Sequence, residues 1–387
     1  MSSPSADGLI PGQRHLFDIP ADRAWFNCAY MGPQLRAATA AGIAAAARKA
    51  APWRIAPADF FTETEQVRRL FGALIGADPD CIAIMPSASY GLELAARTLP
   101  LAAGQRVLVL AEEFPSNFYP WADRAADVGA GVETVPAPAD SDWTAAVLAR
   151  LTPGVAIAAL PHCHWASGLA LDLVRIGEAC RANGTRLALD LTQSCGAMPF
   201  SVAEVQPDVM VAATYKWLLG PYSVALAYVA PEWHGARPIE HVWASRAGAE
   251  DFSGLVNYRN ETQPGARRFD VGERSNFALL PVVIAALEQL LDWQVDRIAA
   301  SIAALNARIA ARLEAVGFAL PPAALRSPHM LGVAVPPSSS DIVPRLAAQQ
   351  IHISQRGAML RISPHLHVSD HDIDRLCDAL LGIGQSR

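Results

Sequence analysis

An aspartate and a lysine stand 26 positions apart in LALDLTQSCGAMPFSVAEVQPDVMVAATYKWLLGP, residues 187–221. Asp190 closes an apolar run, and Gln193 follows one turn on. A second apolar run, 209–213, delivers Tyr215 and Lys216 into a Trp-Leu-Leu-Gly-Pro turn. Taken singly, an aspartate here is a turn or N-cap residue and a lysine a surface charge. Together they make a chemical pair. A lysine amine forms an imine with an aldehyde, and burial among apolar neighbours lowers its pKa and favours that reaction. A carboxylate at a neighbouring strand end can hold a proton on a pyridine nitrogen, so that the ring accepts electrons from a carbanion. Those are the two demands of a pyridoxal phosphate site.

Other residues could complete it. The loop PSASYG, 86–91, sits between an expected strand and helix. Backbone amides at a helix start bind phosphate, and Ser87 and Ser89 add hydroxyl donors. The loop is neither a Walker nor a Rossmann fingerprint. In EEFPSNFYPW, Phe114 follows a strand. A flat aromatic against a pyridinium contributes about 0.5–1.5 kcal/mol. His162, His164 and Trp165 follow another strand. With no third ligand nearby, no metal is expected there. Arg361 lies on a strand in MLRISPH, and a guanidinium can grip a carboxylate through two hydrogen bonds.

The elements that must position these residues are visible in the periodicity. From 81 to about 230, short apolar runs alternate with helical stretches. Strands are expected at 82–85, 106–111, 155–160, 187–190, 209–213 and 224–229. Helices are expected at 90–98, 121–128 and 172–183. Such alternation predicts an α/β fold, a mostly parallel sheet between helices, with ligands beyond the carboxyl ends of the strands. Before it come an arm, 1–35, and helices at 35–51 and 59–75. Residues 231–276 look irregular. One long helix is expected over 281–316, followed by a smaller α+β unit. That unit holds a strand at 330–335, a helix at 341–350, strands at 351–354 and 359–363, and a last helix from Asp370. The organisation expected is arm 1–35, large domain 36–280, then linking helix and small C-terminal domain 281–387, with the arm free to pack on the small domain. Residues 336–340 read as the one low-complexity linker.

Composition excludes other classes. The chain has 387 residues, 52% hydrophobic and 18% charged, as a well-cored globular enzyme has. A net charge of −6 without a basic stripe argues against nucleic acid. The six cysteines, Cys28, Cys81, Cys163, Cys180, Cys195 and Cys377, form no C-x-x-C pair and are expected to be reduced and mostly buried, in a cytoplasmic protein. No signal peptide and no membrane span are expected.

These motifs resemble the class V aminotransferase family of fold type I pyridoxal-phosphate enzymes, which includes cysteine desulfurases, kynureninases and isopenicillin N epimerases. The resemblance runs over nearly the whole chain. It implies a cofactor held by Lys216 and Asp190, with Gln193 donating to the phenolic oxygen. Ala88 and Ser89 match the phosphate cup, and Tyr215 matches a phosphate contact. Phe114 matches a ring-stacking phenylalanine of kynureninases. The stretch HWASG, 164–168, resembles a cofactor-facing loop and places His164 and Trp165 at the cofactor. A structural role for His164 is an equal alternative. WFNCAYMGP, with Asn27, resembles the segment at the active-site mouth, where substrate passes. Arg361 matches the clamp for an amino acid's α-carboxylate. RRFDVGERSNF, with Asn276, resembles a segment reaching a neighbouring subunit's cofactor phosphate, although Glu273 follows Gly272 where many members have threonine. Trp243, Arg246 and Arg268 belong to the same region and equally suit an interface or core. A homodimer with active sites near the subunit boundary follows.

The reaction is less constrained than the cofactor. Desulfurases carry a nucleophilic cysteine before the carboxylate-binding strand, and IHISQRGA, 351–358, has none, which demotes a persulfide mechanism. The resemblance implies an enzyme acting on an amino acid, with transamination the leading activity. The alternatives are a lyase of kynureninase or Cβ–S/Se type, favoured by Tyr215 and Phe114, and an epimerase. A pyridoxal-phosphate-binding regulator would need an attached DNA-binding unit, for which neither end has room or charge.

Overall fold

The computed structural model describes residues 8–335 and 341–384. The expected linker 336–340 lies outside them. The first elements are β1 (Ala24–Trp25), α1 (Arg36–Arg48) and α2 (Asp59–Ile75). Gly76 ends α2 in the left-handed conformation, φ 68°, as a C-terminal glycine does. Then come β2 (Ile82–Met85), α3 (Ala88–Thr98), β3 (Arg106–Leu110), α4 (Tyr119–Val128), β4 (Gly131–Val135), α5 (Trp143–Arg150), β5 (Val155–Pro161), α6 (Leu173–Asn183), β6 (Arg186–Asp190), α7 (Val202–Val205), β7 (Val209–Ala213) and β8 (Ala225–Val229).

Strands β2 to β8 build one sheet of seven in the order β2-β8-β7-β6-β5-β3-β4. Strands β3 to β7 run parallel where they pair, and β8 is antiparallel to both β7 and β2. Strands β6 to β8 are almost wholly buried, so they read as continuous apolar runs. Their side chains still alternate between two cores. Val209 and Val211 join Leu92, Ala95 and Trp121 on the face covered by α3 and α4. Met210 and Ala212 join Phe71, Ile176 and Leu287 on the other face. β1, β4, α5 and the one-turn α7 lie where no helix or strand was expected.

The expected continuous helix 281–316 is two helices. α8 (Leu280–Trp293) and α9 (Val295–Glu314) meet at Gln294, whose φ of 66° breaks the helical path. Ile298 and Ile302 of α9 belong to the large core, whereas Ile309 and Leu313 belong to a third. That third core also gathers β9 (Leu331–Ala334), α10 (Ile342–Ala348) and β10 (Ile351–His352); beyond β11 (Ser354–Arg356), which pairs with the next strand, it takes in β12 (Met359–Ile362) and α11 (Asp370–Gly384). Ala24 and Phe26 of the arm are in it, and β1 pairs in parallel with β10. All six cysteines are buried and free. Among the described residues no helix is long and apolar enough to cross a membrane.

Candidate active site

Strands β6 and β7 are neighbours in register, Asp190 opposite Val211. Asp190 therefore ends one strand beside the start of the turn that carries Lys216. The turn is tightly set. Thr214 donates its backbone N–H to Val224 and its hydroxyl to the Pro221 carbonyl at 2.7 Å. Gly32 donates to the Tyr215 carbonyl at 2.9 Å, and a Cβ there would lie 2.0 Å from the Lys216 carbonyl oxygen. At Gly196, with φ 95°, a Cβ would lie 2.6 Å from the Trp217 carbonyl oxygen. Only glycine fits such approaches.

Asp190, Lys216, Ser87, Ala88, Ser89, Phe114, Trp165, Gln193 and Tyr215 all line one cavity of about 310 Å³. The Lys216 Nζ lies 5.6 Å from the centre of the Phe114 ring and 5.4 Å from that of Tyr215. Burial, helped by Arg361 and Arg356 and opposed by Asp190, lowers the Lys216 amine to about 8. Burial raises the Asp190 carboxyl above its ordinary range, opposed by the Thr192 hydrogen bonds and by Lys216. A buried carboxyl of that kind is ionised by a cation placed against it. The chain holds two lysines, Lys49 and Lys216, and Lys49 is exposed at the end of α1.

The phosphate-cup residues open α3. Ser87 caps it, accepting from the Tyr90 N–H at 3.2 Å, and shares a 2.9 Å hydrogen bond with Ser89. Gly91 lets α3 sit against Val211 of β7, 2.8 Å from a Cβ position. Gln193 donates one amide hydrogen to the Ala29 carbonyl at 3.0 Å and accepts from the Trp217 indole at 3.1 Å. Its second amide hydrogen remains for a ligand. Trp165 meets Phe114 edge-on at 5.4 Å and donates to the Glu112 carbonyl. Arg361 is buried, donating to the Ser354 hydroxyl and the Trp165 carbonyl, and lines an adjoining cavity of about 480 Å³ that shares Lys216.

Three expected residues lie elsewhere. His164 lines neither cavity. Its ring stacks on Trp143 at 5.2 Å, and its nitrogens meet the Ser167 hydroxyl and the Ala111 carbonyl. The structural alternative is the one this geometry supports. Asn27 also lines neither; it is bridged to Ser363, where the arm joins β12, and its Oδ1 is buried without a partner. Asn276 is exposed in the turn that leads into α8, its side-chain oxygen accepting from the Ala278 and Leu279 N–H groups. Nearby, Arg268 donates to the Ala236 carbonyl and Thr262, and Arg246 to the Asn260 carbonyl. Among the described residues no group of three or more His, Cys, Asp or Glu is placed to hold a metal.

The cavities also use residues the motifs did not single out. Thr192, Cys163 and Glu113 line the first, and Tyr30 and Arg356 the second. Burial, then Asp190, push the Glu113 carboxyl up to about 8, against the hydrogen bond from the Phe114 N–H. Tyr222 is on both walls, its ring 4.7 Å from that of Tyr215. Only Arg356 left a usable signal, five positions before Arg361 near one hairpin.

A buried amine, a buried carboxyl on the adjacent strand end and a serine-lined helix N-terminus facing one cavity are the donor set that pyridoxal phosphate requires. The site and the doubly covered sheet thus define a pyridoxal-phosphate enzyme of α/β architecture. Residues 55–376 match the family model described as aminotransferase class V, and the chain belongs to that family. Pyridoxal 5'-phosphate is accordingly its cofactor. The chain is 30% identical over 203 residues to the "uncharacterized aminotransferase YcbU" of Bacillus subtilis, covering 49% of this chain and 50% of that protein. It is thus matched over only half the length of that relative. It is 24% identical to isopenicillin N epimerase of Streptomyces clavuligerus over 335 residues, 81% of this chain and 83% of the epimerase. Among solved structures, a mutant of C-DES with glycine covalently linked to its PLP cofactor superposes with a TM-score of 0.86 at 21% identity, covering 95% of this chain and 99% of that one. The last likeness is one of fold.

Proposed function

We propose that the protein is an aminotransferase acting on an amino acid, with Lys216 as both the attachment point of the cofactor and the proton carrier. One observation carries this reading: Lys216 is the sole buried lysine of the two in the chain, and its amine is brought to about 8 inside the cavity. An amine in that range exchanges protons near neutral pH. Pyridoxal phosphate, when bound, supplies an aldehyde that exchanges amines and a ring that accepts an electron pair. Asp190 would hold the proton at the pyridine nitrogen. Ala88, Ser89 and the α3 backbone amides would hold the phosphate, with Tyr215 beside them. Phe114 would support the ring and Gln193 would donate to the phenolic oxygen. Arg361 would grip the substrate α-carboxylate and turn the Cα–H toward Lys216, whose amine would carry that proton between Cα and C4′. Phe114 and Trp165 keep water from that path. The active form is a homodimer.

A second reading is a lyase that breaks a bond at Cβ. The observation favouring it is the Tyr215 and Tyr222 pair beside Lys216, since a phenol can protonate a leaving group. Anaerobic incubation of holoenzyme with an amino-acid panel separates the readings. Transamination yields a keto acid without ammonia and turns over only when a second keto acid is supplied. Ammonia or sulfide released without an acceptor establishes the lyase, and inversion of the amino acid alone establishes an epimerase.

A further inference from the structure

We infer that the substrate is an amino acid with a second carboxylate on its side chain, and that Arg356 is the residue that recognises it. The inference rests on the reading of this cavity as an amino-acid site. Arg356 and Arg361 both line the 480 Å³ cavity that opens from Lys216, and no aspartate or glutamate lines it with them. The hydrogen bonds these two arginines make run to neutral oxygens. Arg361 donates to the Ser354 hydroxyl and the Trp165 carbonyl, and Arg356 to the carbonyl of Gln355. Among the described residues neither forms a salt bridge, whereas Arg326 pairs with Glu314 and Arg345 with Asp341.

Two guanidinium groups on the wall of a cavity that no carboxylate lines need anions from the ligand. One α-carboxylate satisfies one guanidinium. Arg361, fully buried and tethered at two nitrogens, is built to take it. Arg356 remains, half-buried at the hairpin tip, where it pairs across the strands with Met359. Its guanidinium lies 6.0 Å from the centre of the Trp165 ring, a flat support that orients its donors. A like charge beside Arg361 is a cost the fold bears in the absence of a dianion. After burial, Arg356 is the cause that lowers the Arg361 guanidinium, which falls to about 9. A side-chain carboxylate offsets that cost through a charge-assisted pair, whereas the amide of the same shape does not.

The test is titration of the holoenzyme's cofactor absorbance with L-aspartate, L-glutamate and L-2-aminoadipate, against L-asparagine, L-glutamine, L-alanine and L-phenylalanine. Wild type, Arg356→Gln and Arg356→Lys are compared. In wild type, at least one dicarboxylic amino acid should bind about tenfold or more tightly than the neutral amino acids. Arg356→Gln should bring that ratio to within about twofold while shifting alanine little, and Arg356→Lys should keep part of it. A wild type that prefers phenylalanine or the amides overturns the inference, and so does a preference that survives Arg356→Gln. The readout is binding. A spectral response without keto acid therefore removes the aminotransferase reading and leaves this one standing. Absence of response to every amino acid removes the amino-acid site and this inference with it.

Discussion

The burial of Lys216 has a consequence for stability that does not depend on turnover. Its amine falls from an ordinary 10.5 to about 8, chiefly through burial. That fall, at about 1.4 kcal/mol for each tenfold change in proton affinity, is roughly 3–3.5 kcal/mol of differential stability. Below pH 8 the lysine is charged in both folded and unfolded chains, and the folded chain bears the burial of an ammonium. Between 8 and 10.5 the unfolded chain binds more protons than the folded one, so folding strengthens as pH rises. Above 10.5 both are neutral and the cost is gone. Lys216→Met keeps the stem and removes the charge. Stripped of cofactor, this variant should be more stable than wild type by up to about 3 kcal/mol near pH 7, with the gap closing between pH 8 and 10.5. Urea unfolding of both proteins at four pH values, followed by tryptophan fluorescence, measures it. A gap that does not change with pH would show that the amine is not desolvated. A wild type more stable than the variant at pH 7 would show that Asp190 compensates the ammonium fully.

Asp190→Asn should retain covalent attachment at Lys216 but slow turnover by about a hundredfold or more, the usual scale for losing a charge aimed at the reacting system; occupancy and rate measured together check this, and full turnover at full occupancy would remove Asp190 from the ring nitrogen. Gly32→Ala places a Cβ 2.0 Å from the Lys216 carbonyl oxygen, an overpacking that should cost roughly 1–3 kcal/mol and reduce cofactor loading; thermal unfolding and the cofactor absorbance of the same sample report the two effects.

How far these features could be read from the chain depends on where each one gets its information. Strands β6 and β7 were visible because a strand buried on both faces is an unbroken apolar run, as LALD and VMVAA are. Asp190 and Lys216 were visible for the same reason, each being the polar residue that ends or follows such a run. Strand β4 was not, since it is the sheet edge and carries Glu133, paired with Arg106 and Arg150. The break between α8 and α9 has no proline or glycine to announce it, only Gln294 at a positive φ of 66°. His164 looked like a cofactor contact by position, but its partner Trp143 sits on α5, a helix the periodicity missed. Tyr222 reaches the cavity only through tertiary folding, which no local pattern encodes, whereas Arg356 stands five positions before Arg361 near one hairpin.

The central claim is that Lys216 carries the cofactor, and borohydride reduction of the holoenzyme tests it most directly. Reduction fixes the cofactor irreversibly to the amine that holds it, and peptide mass mapping then locates it. With two lysines in the chain, the result is a choice between two peptides. The account predicts one phosphopyridoxyl group per chain, on Lys216. Label on Lys49, or an unlabelled Lys216 in protein that still holds the cofactor, would contradict it.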